Sequence, residues 1–148
     1  MTEASIEAAV AAMADEFAFF TDWEERYSHV IDLGKAVPAL ADEAKIEANR
    51  VRGCASQVWL TIERLPNGRM RLRADSDAHI VRGLIALALR AYDQRTPAEV
   101  LAFQPDAFFS QLGLAEALSS QRANGLRSLI GRIRDAALTA RDRPPPAD

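Results

Sequence analysis

The residues best suited to chemistry sit in one stretch, Arg50-Val51-Arg52-Gly53-Cys54-Ala55-Ser56-Gln57-Val58-Trp59. Cys54 is the only cysteine in 148 residues. The reactive form of cysteine is the thiolate, and a free thiol with a pKa of about 8.5 is only slightly ionised at neutral pH. Arg50 and Arg52 are close enough in sequence to favour the anion if they point toward it. Gly53 lets the chain turn sharply and present a sulfur at a loop tip. Two readings of Cys54 stay open on these residues: a reactive thiol, or a small hydrophobe packed in the core.

Several kinds of chemistry are excluded by count and spacing. One cysteine forms no internal disulfide and supplies no cysteine-rich zinc or iron–sulfur site. His29 and His79 are far apart and lack ligand spacing, so no metal site is expected. A Cys–His hydrolase needs a base held by a third group, and neither histidine has such a neighbour in sequence. A dithiol redox cycle needs a resolving cysteine. What remains for a single thiol is exchange of one sulfur atom, accepted as a persulfide and surrendered again. That chemistry needs no base and no metal. It does need docking surfaces and shelter for the loaded sulfur.

The bulk composition describes the protein that must hold this loop. At 148 residues a single domain spanning 1–148 is expected, with 143–148 a frayed tail. Hydrophobic residues make up 49% and charged residues 26%, as in an ordinary globular protein. A formal charge of -3 and a pI near 5.4 give no basic footprint, so nucleic acid is not an expected partner. No apolar run reaches the roughly 20 residues that span a bilayer. The acidic start Met1-Thr2-Glu3 does not read as a signal peptide, so the cytoplasm, where a thiol stays reduced, is the expected location.

The elements that position the loop follow from periodicity. Ile6, Val10, Met13, Phe17 and Phe20 recur at helical spacing over about 4–20. Thr21-Asp22-Trp23-Glu24 has the form of a capping box for a second helix, whose inner face carries Trp23, Tyr27, Val30 and Ile31 and which Gly34 and Pro38 end. His29 lies in it as a structural histidine. Residues 36–49 read as an acidic connector. Val58, Leu60 and Ile62 alternate with Trp59, Thr61 and Glu63 as a half-buried strand. Pro66-Asn67-Gly68 is a hairpin signal, and Met70 and Leu72 then alternate with Arg69, Arg71 and Arg73. One face of this sheet is apolar and the other basic; the basic face is either solvated or an interaction surface. Val51 is a candidate for a short third strand. Asp75-Ser76-Asp77 offers caps for an almost wholly apolar helix over 77–92. Thr96-Pro97-Ala98-Glu99 starts a short helix, Pro105 another that Gly113 ends, and Ser119 or Ser120 the last, with Leu126, Leu129, Ile130, Ile133 and Ala137 buried. The expected fold is α+β: a small antiparallel sheet of about three strands with helices packed on one face.

Three stretches carry a resemblance. Gly53-Cys54-Ala55-Ser56-Gln57-Val58-Trp59 is similar to the cysteine-loop motif of the SufE family of sulfur acceptors. Ala74-Asp75-Ser76-Asp77-Ala78 with Ile80-Val81-Arg82-Gly83-Leu84 resembles its second signature, and Ser120-Gln121-Arg122-Ala123-Asn124-Gly125-Leu126 its third. Order and spacing match over about 14–138. Ala55 stands where the family often has glutamine, and Ser120-Gln121 replaces a more usual Pro-Ser before Arg122. The resemblance implies an α+β fold shared with the iron–sulfur scaffold proteins. It implies that Cys54 accepts persulfide sulfur from a SufS-type cysteine desulfurase, stimulates that enzyme and passes sulfur to a SufBCD-type scaffold for iron–sulfur cluster assembly. Pyridoxal phosphate would belong to the desulfurase, and this chain would carry no cofactor and have no turnover of its own. Arg122 is expected in partner docking or persulfide stabilisation. Asp75 and Asp77 would act as caps bracing the loop, with Arg52, Gly53, Ser56 and Gln57 completing it. The alternative is a non-covalent regulatory subunit in which Cys54 only packs.

Overall fold

Seven-residue runs of alternating polarity pair as an antiparallel hairpin, β1 (Val58–Arg64) with β2 (Met70–Ser76). In this computed structural model, which describes residues 3–147, the turn closes at Pro66-Asn67-Gly68. Leu65 donates its amide to Arg69 O at 2.8 Å and Gly68 takes φ +87°. Pleating puts Val58 and Leu60 of β1 and Met70, Leu72 and Ala74 of β2 on one buried face. The opposite face carries Trp59, Thr61, Glu63, Arg71 and Arg73. Among the described residues the sheet has two strands. Val51 forms no third strand: Arg50 makes an isolated bridge with Trp59, the Val51 amide donates to Val58 O at 2.8 Å, and the chain then turns at Gly53.

Seven helices among the described residues accompany the hairpin. They are α1 (Ile6–Phe17), α2 (Trp23–Lys35), α3 (His79–Tyr92), α4 (Pro97–Ala102), α5 (Pro105–Gln111), α6 (Leu114–Ala117) and α7 (Ser120–Ala140). The connector over 36–49 holds two one-turn 3-10 helices, Asp42–Ala44 and Glu47–Asn49. Met1, Thr2 and the last tail residue, Asp148, lie outside the described residues.

Local chemistry explains where the helix ends differ from the periodicity. Ser5 caps α1 by accepting the Ala8 amide, and the helix stops at Phe17 instead of running to 20. The capping box of α2 is displaced by one residue. Asp22 accepts the Glu25 amide at 2.9 Å while the Glu25 carboxylate accepts the Thr21 amide at 3.2 Å. Thr96 and Glu99 form the expected reciprocal box on α4. Ser119, not Ser120, caps α7 by accepting the Arg122 amide at 3.3 Å. Neither Asp75 nor Asp77 caps α3: its N-cap is Ala78, which makes no side-chain bond there. The short α6 was not legible as a separate element; Gly113, in the left-handed region at φ +67°, separates it from α5.

α3 carries apolar residues around most of its circumference and packs against β2, α1, α2 and α7. Its contact with α2 is unusually close. A Cβ on Gly83 would stand 2.3 Å from Val30 O, and one on Gly34 2.6 Å from the Gly83 amide nitrogen. Backbone therefore lies on backbone at this crossing, and Leu84, Ile85, Leu87 and Ala88 are buried beside it. In α2 only Val30 and Gly34 are fully buried, while Trp23, Tyr27 and Ile31 are partly exposed. His29 sits between the Phe17 and Phe20 rings, at centroid distances of 6.2 and 5.0 Å.

The two glycine environments give opposite expectations for the same substitution. Gly83→Ala should destabilise the fold by about 3 kcal/mol, because backbone cannot move aside as a side chain can. Gly131→Ala, on α7 with nothing within 4 Å of an added Cβ, should stabilise it by about 0.5–1 kcal/mol. Urea unfolding of both variants checks the pair, and a neutral Gly83→Ala would overturn the close-crossing account.

Candidate functional site

The 52–57 loop runs between the Val51–Val58 hydrogen bond and the first turns of α7. Gly53 takes φ +86°, which an L side chain rarely adopts, and a Cβ there would also stand 2.7 Å from Ser128 Oγ. That turn directs Cys54 inward. Its side chain is half-buried, and Sγ donates to Gly125 O at 3.5 Å. A Cβ on Gly125 would lie 3.2 Å from the sulfur, so the absence of a side chain in the first turns of α7 lets the thiol settle against the helix backbone.

The loop is tied at its far end by reciprocal bonds. The Gln57 amide donates to Asp77 Oδ1 at 3.1 Å, and the Asp77 amide donates to Gln57 O at 3.4 Å. Asp77 thus braces the cysteine loop in place of capping α3. Asp75 has a different job. It is 2% exposed and accepts the Leu40 amide at 2.9 Å and the Ser76 amide at 2.8 Å. Arg82 Nε and Lys45 Nζ lie 3.4 and 3.5 Å from its oxygens. Burial pushes its carboxyl up, but the two amides and two cations outweigh that and hold it below the usual aspartate range. Asp75 therefore clamps the 36–49 connector to β2 and α3, and that connector leads directly into Arg50. Lys45 also stands over the Trp59 ring, 5.5 Å from its centroid.

Cys54 lacks such compensation. Burial pushes its thiol above the ordinary cysteine value, and the Arg50 charge opposes this only in part. Arg52, which would favour the anion only by pointing toward the sulfur, reaches Glu47 at 2.7 Å, with both side chains well exposed. The resting thiol is thus neutral at physiological pH.

Beside it opens a cavity of about 400 Å³. Val58, Ile80, Val81, Leu84, Leu126 and Leu129 form its apolar wall, with Cys54, Ser56, Gln121 and Arg122 also lining it. Arg122 is exposed, and its guanidinium makes no ion pair among the described residues. Of the residues read from the sequence, Cys54, Ser56 and Arg122 share this cavity, Gly53, Gln57 and Asp77 shape its loop, and Arg52 and Asp75 point elsewhere. Ser128 carries no signal in the sequence, and Ile80, Val81 and Leu84 of α3 stand there only as part of the second motif. Gly125 lies inside the third motif, but nothing local marks it as the thiol's acceptor. Among the described residues no group of three or more His, Cys, Asp or Glu is placed to hold a metal ion, and no helix is long and apolar enough to cross a membrane.

Comparison with known proteins converges on one family. The SufE family, described as an Fe-S metabolism associated domain, matches residues 11–137. An uncharacterized SufE-like protein of Rhizobium etli is 49% identical over 133 residues, covering 88% of this chain and 90% of its own. The sulfur acceptor protein CsdE of Escherichia coli is 44% identical over 121 residues, covering 82% of each chain. The solution structure of a hypothetical protein from Thermus thermophilus superposes with a TM-score of 0.72 over 97% of this chain and 100% of its own, at 20% identity, and so shares the fold.

Two outcomes test the geometry of the thiol. Alkylation of the free protein by iodoacetamide should rise with pH to a midpoint above that of an unstructured cysteine peptide, and Arg50→Ala should move that midpoint higher. A midpoint near neutrality would overturn the buried, neutral thiol. Gly125→Ala should displace the loop and speed alkylation several-fold. Its stability should change little, since the gain of about 1 kcal/mol in helix propensity offsets the crowding.

Proposed function

The chain belongs to the SufE family, and from that premise we propose that it is a sulfur acceptor which takes persulfide sulfur from a cysteine desulfurase onto Cys54. The observation that carries this reading is the placement of the only thiol. It sits on a glycine-turned loop at the edge of an apolar cavity, and Arg122, without an ion pair among the described residues, lines the same space.

The exchange balances without an oxidant. The Cys54 sulfur attacks the outer sulfur of the donor's cysteine persulfide, and a new S–S bond forms. The bond between the donor's two sulfurs breaks, and its cysteine leaves as a thiolate that takes up the proton lost from Cys54. Attack requires the Cys54 anion, which burial disfavours in the free protein. Docking must therefore draw the sulfur away from Gly125 O and toward the donor. The ties at Gln57 and Asp77 hold one end of the loop while Gly53 supplies the hinge. Arg122 would then face the anionic sulfur. Once loaded, the loop returns and the apolar wall keeps reductants from the persulfide.

In its finer form the reading names a SufS-type desulfurase, which holds the pyridoxal phosphate, as the donor that this protein stimulates. A SufBCD-type scaffold assembling iron–sulfur clusters is the recipient. The description of the family as an Fe-S metabolism associated domain supports the recipient's class. The name of the E. coli relative supports the acceptor role.

Incubation with a cysteine desulfurase, pyridoxal phosphate and cysteine should raise the intact mass by one sulfur atom in the wild type and not in Cys54→Ser. Equal loading of Cys54→Ser would defeat the proposal. Full stimulation of the desulfurase by Cys54→Ala would instead favour the non-covalent regulatory role. Alkylation of Cys54 should be faster in the presence of the desulfurase, and equal rates would argue against a loop that moves on docking.

A further inference from the structure

Three residues on one face of α7 track the chain that leads into Cys54. Gly125, Ser128 and Arg132 recur at spacings of three and four, so they lie on one stripe of the helix. Gly125 O accepts the Cys54 thiol at 3.5 Å. Ser128 lies beside Gly53, where an added Cβ would stand 2.7 Å from its Oγ. Farther along the stripe, the Arg132 guanidinium donates to the Arg50 carbonyl and to the Ala48 carbonyl, each at 2.8 Å. The chain entering the cysteine loop therefore lies along α7 and runs against the helix direction.

Arg132 is half-buried and makes no ion pair among the described residues, so its charge is answered by two carbonyl oxygens and no carboxylate. A guanidinium grips two acceptors at once in a fixed fork, and its hydrogen bonds are stronger than those between neutral groups. The stem of the loop, residues 48–51, is also tied to the sheet. Arg50 bridges Trp59, and the Val51 amide donates to Val58 O at 2.8 Å. Among the described hydrogen bonds, only those of Arg132 join the stem to the helix that holds the sulfur. Beyond Val51 the ties stop. None of the backbone hydrogen bonds among the described residues falls on 52–56, and the next tie is the Gln57 amide on Asp77 Oδ1. The part able to swing is thus 52–56, which contains Gly53 and Cys54.

We propose that Arg132 is a positioning residue for Cys54: it locks the stem of the loop to α7, and that lock seats the thiol against Gly125 and confines motion to 52–56. With the stem fixed, both ends of the swinging segment are fixed, and the sulfur has one seat on the helix. With the lock removed, the stem pivots on its bridge to the sheet edge and the thiol leaves that seat more often. Arg132 does not line the cavity beside the sulfur, so it acts through the backbone of Ala48 and Arg50. The lock holds the resting thiol whether or not Cys54 goes on to accept sulfur.

The measurement is the rate at which iodoacetamide alkylates Cys54 in the free, full-length protein, each rate divided by the ionised fraction that the variant's own pH midpoint gives. Arg132→Met keeps an apolar stem and removes the donors. It should react about tenfold faster, roughly the weight of one charge-assisted hydrogen bond on an opening equilibrium. Arg132→Lys, whose ammonium reaches one carbonyl and cannot bridge both, should fall between Arg132→Met and the wild type. Exchange of the Val51 amide with solvent should quicken in the same order. Arg134 supplies the control that separates position from stability. From the same helix it donates to the Val100 and Phe103 carbonyls at 3.2 and 2.9 Å. Arg134→Met should therefore lose a similar amount of stability in urea and leave Cys54 alkylation at the wild-type rate. A wild-type or lower rate in either Arg132 variant would overturn the proposal. So would equal acceleration in Arg134→Met, which assigns the effect to global stability. No sulfur donor takes part in these measurements, so their outcome is separate from that of sulfur loading.

Discussion

Burial and reactivity pull a thiol in opposite directions, and this protein is built around that conflict. Sulfur is nucleophilic as the anion, and burial disfavours the anion. Cys54 is held against Gly125 O beside an apolar wall, with the Arg50 charge favouring its ionised form only in part. The resting state is therefore quiet. A sulfur held this way becomes a nucleophile only where its surroundings favour the anion more than these do.

Asp75 shows the same burial with the opposite result. Two amides and two cations converge on its carboxylate and hold it ionised inside the protein. The difference between Asp75 and Cys54 is the number of donors the fold aims at each. One becomes a fixed clamp on the connector, and the other remains a thiol whose burial is only partly opposed. Asp77 lies between these roles, tying down only the last residue before β1.

The small sheet makes such economy possible. Two strands present one buried face to α3 and α7, and these helices also wall the cysteine cavity. The bridge between Arg50 and Trp59 closes part of the outer edge of β1 next to the loop, whereas the outer edge of β2 is closed at its ends by Arg95 and Asp75 and lies beneath the 37–41 segment of the connector.

Much of this was legible in the sequence because it rests on local rules. The hairpin at Asn67-Gly68, the box at Thr96 and Glu99, the buried stripe of α7 and the apolar α3 each follow from periodicity or from a cap that spans three or four residues. A solitary cysteine likewise excluded disulfide, cluster and dithiol chemistry by count alone, and the three ordered motifs pointed to the family. What the sequence left undecided involves partners far apart in the chain. Arg52 sits two residues from Cys54 yet turns to Glu47, while Gly125, 71 positions away, accepts the thiol. Asp75 and Asp77 looked like helix caps and instead hold two different loops. The sequence determined which groups were available and which segments were helix or strand, since those depend on neighbours a few residues apart. Only the tertiary structure decided which groups meet, and so whether a thiol rests neutral or a carboxylate stays charged, because ionisation depends on every dipole and charge within a few ångströms, whatever its place in the chain.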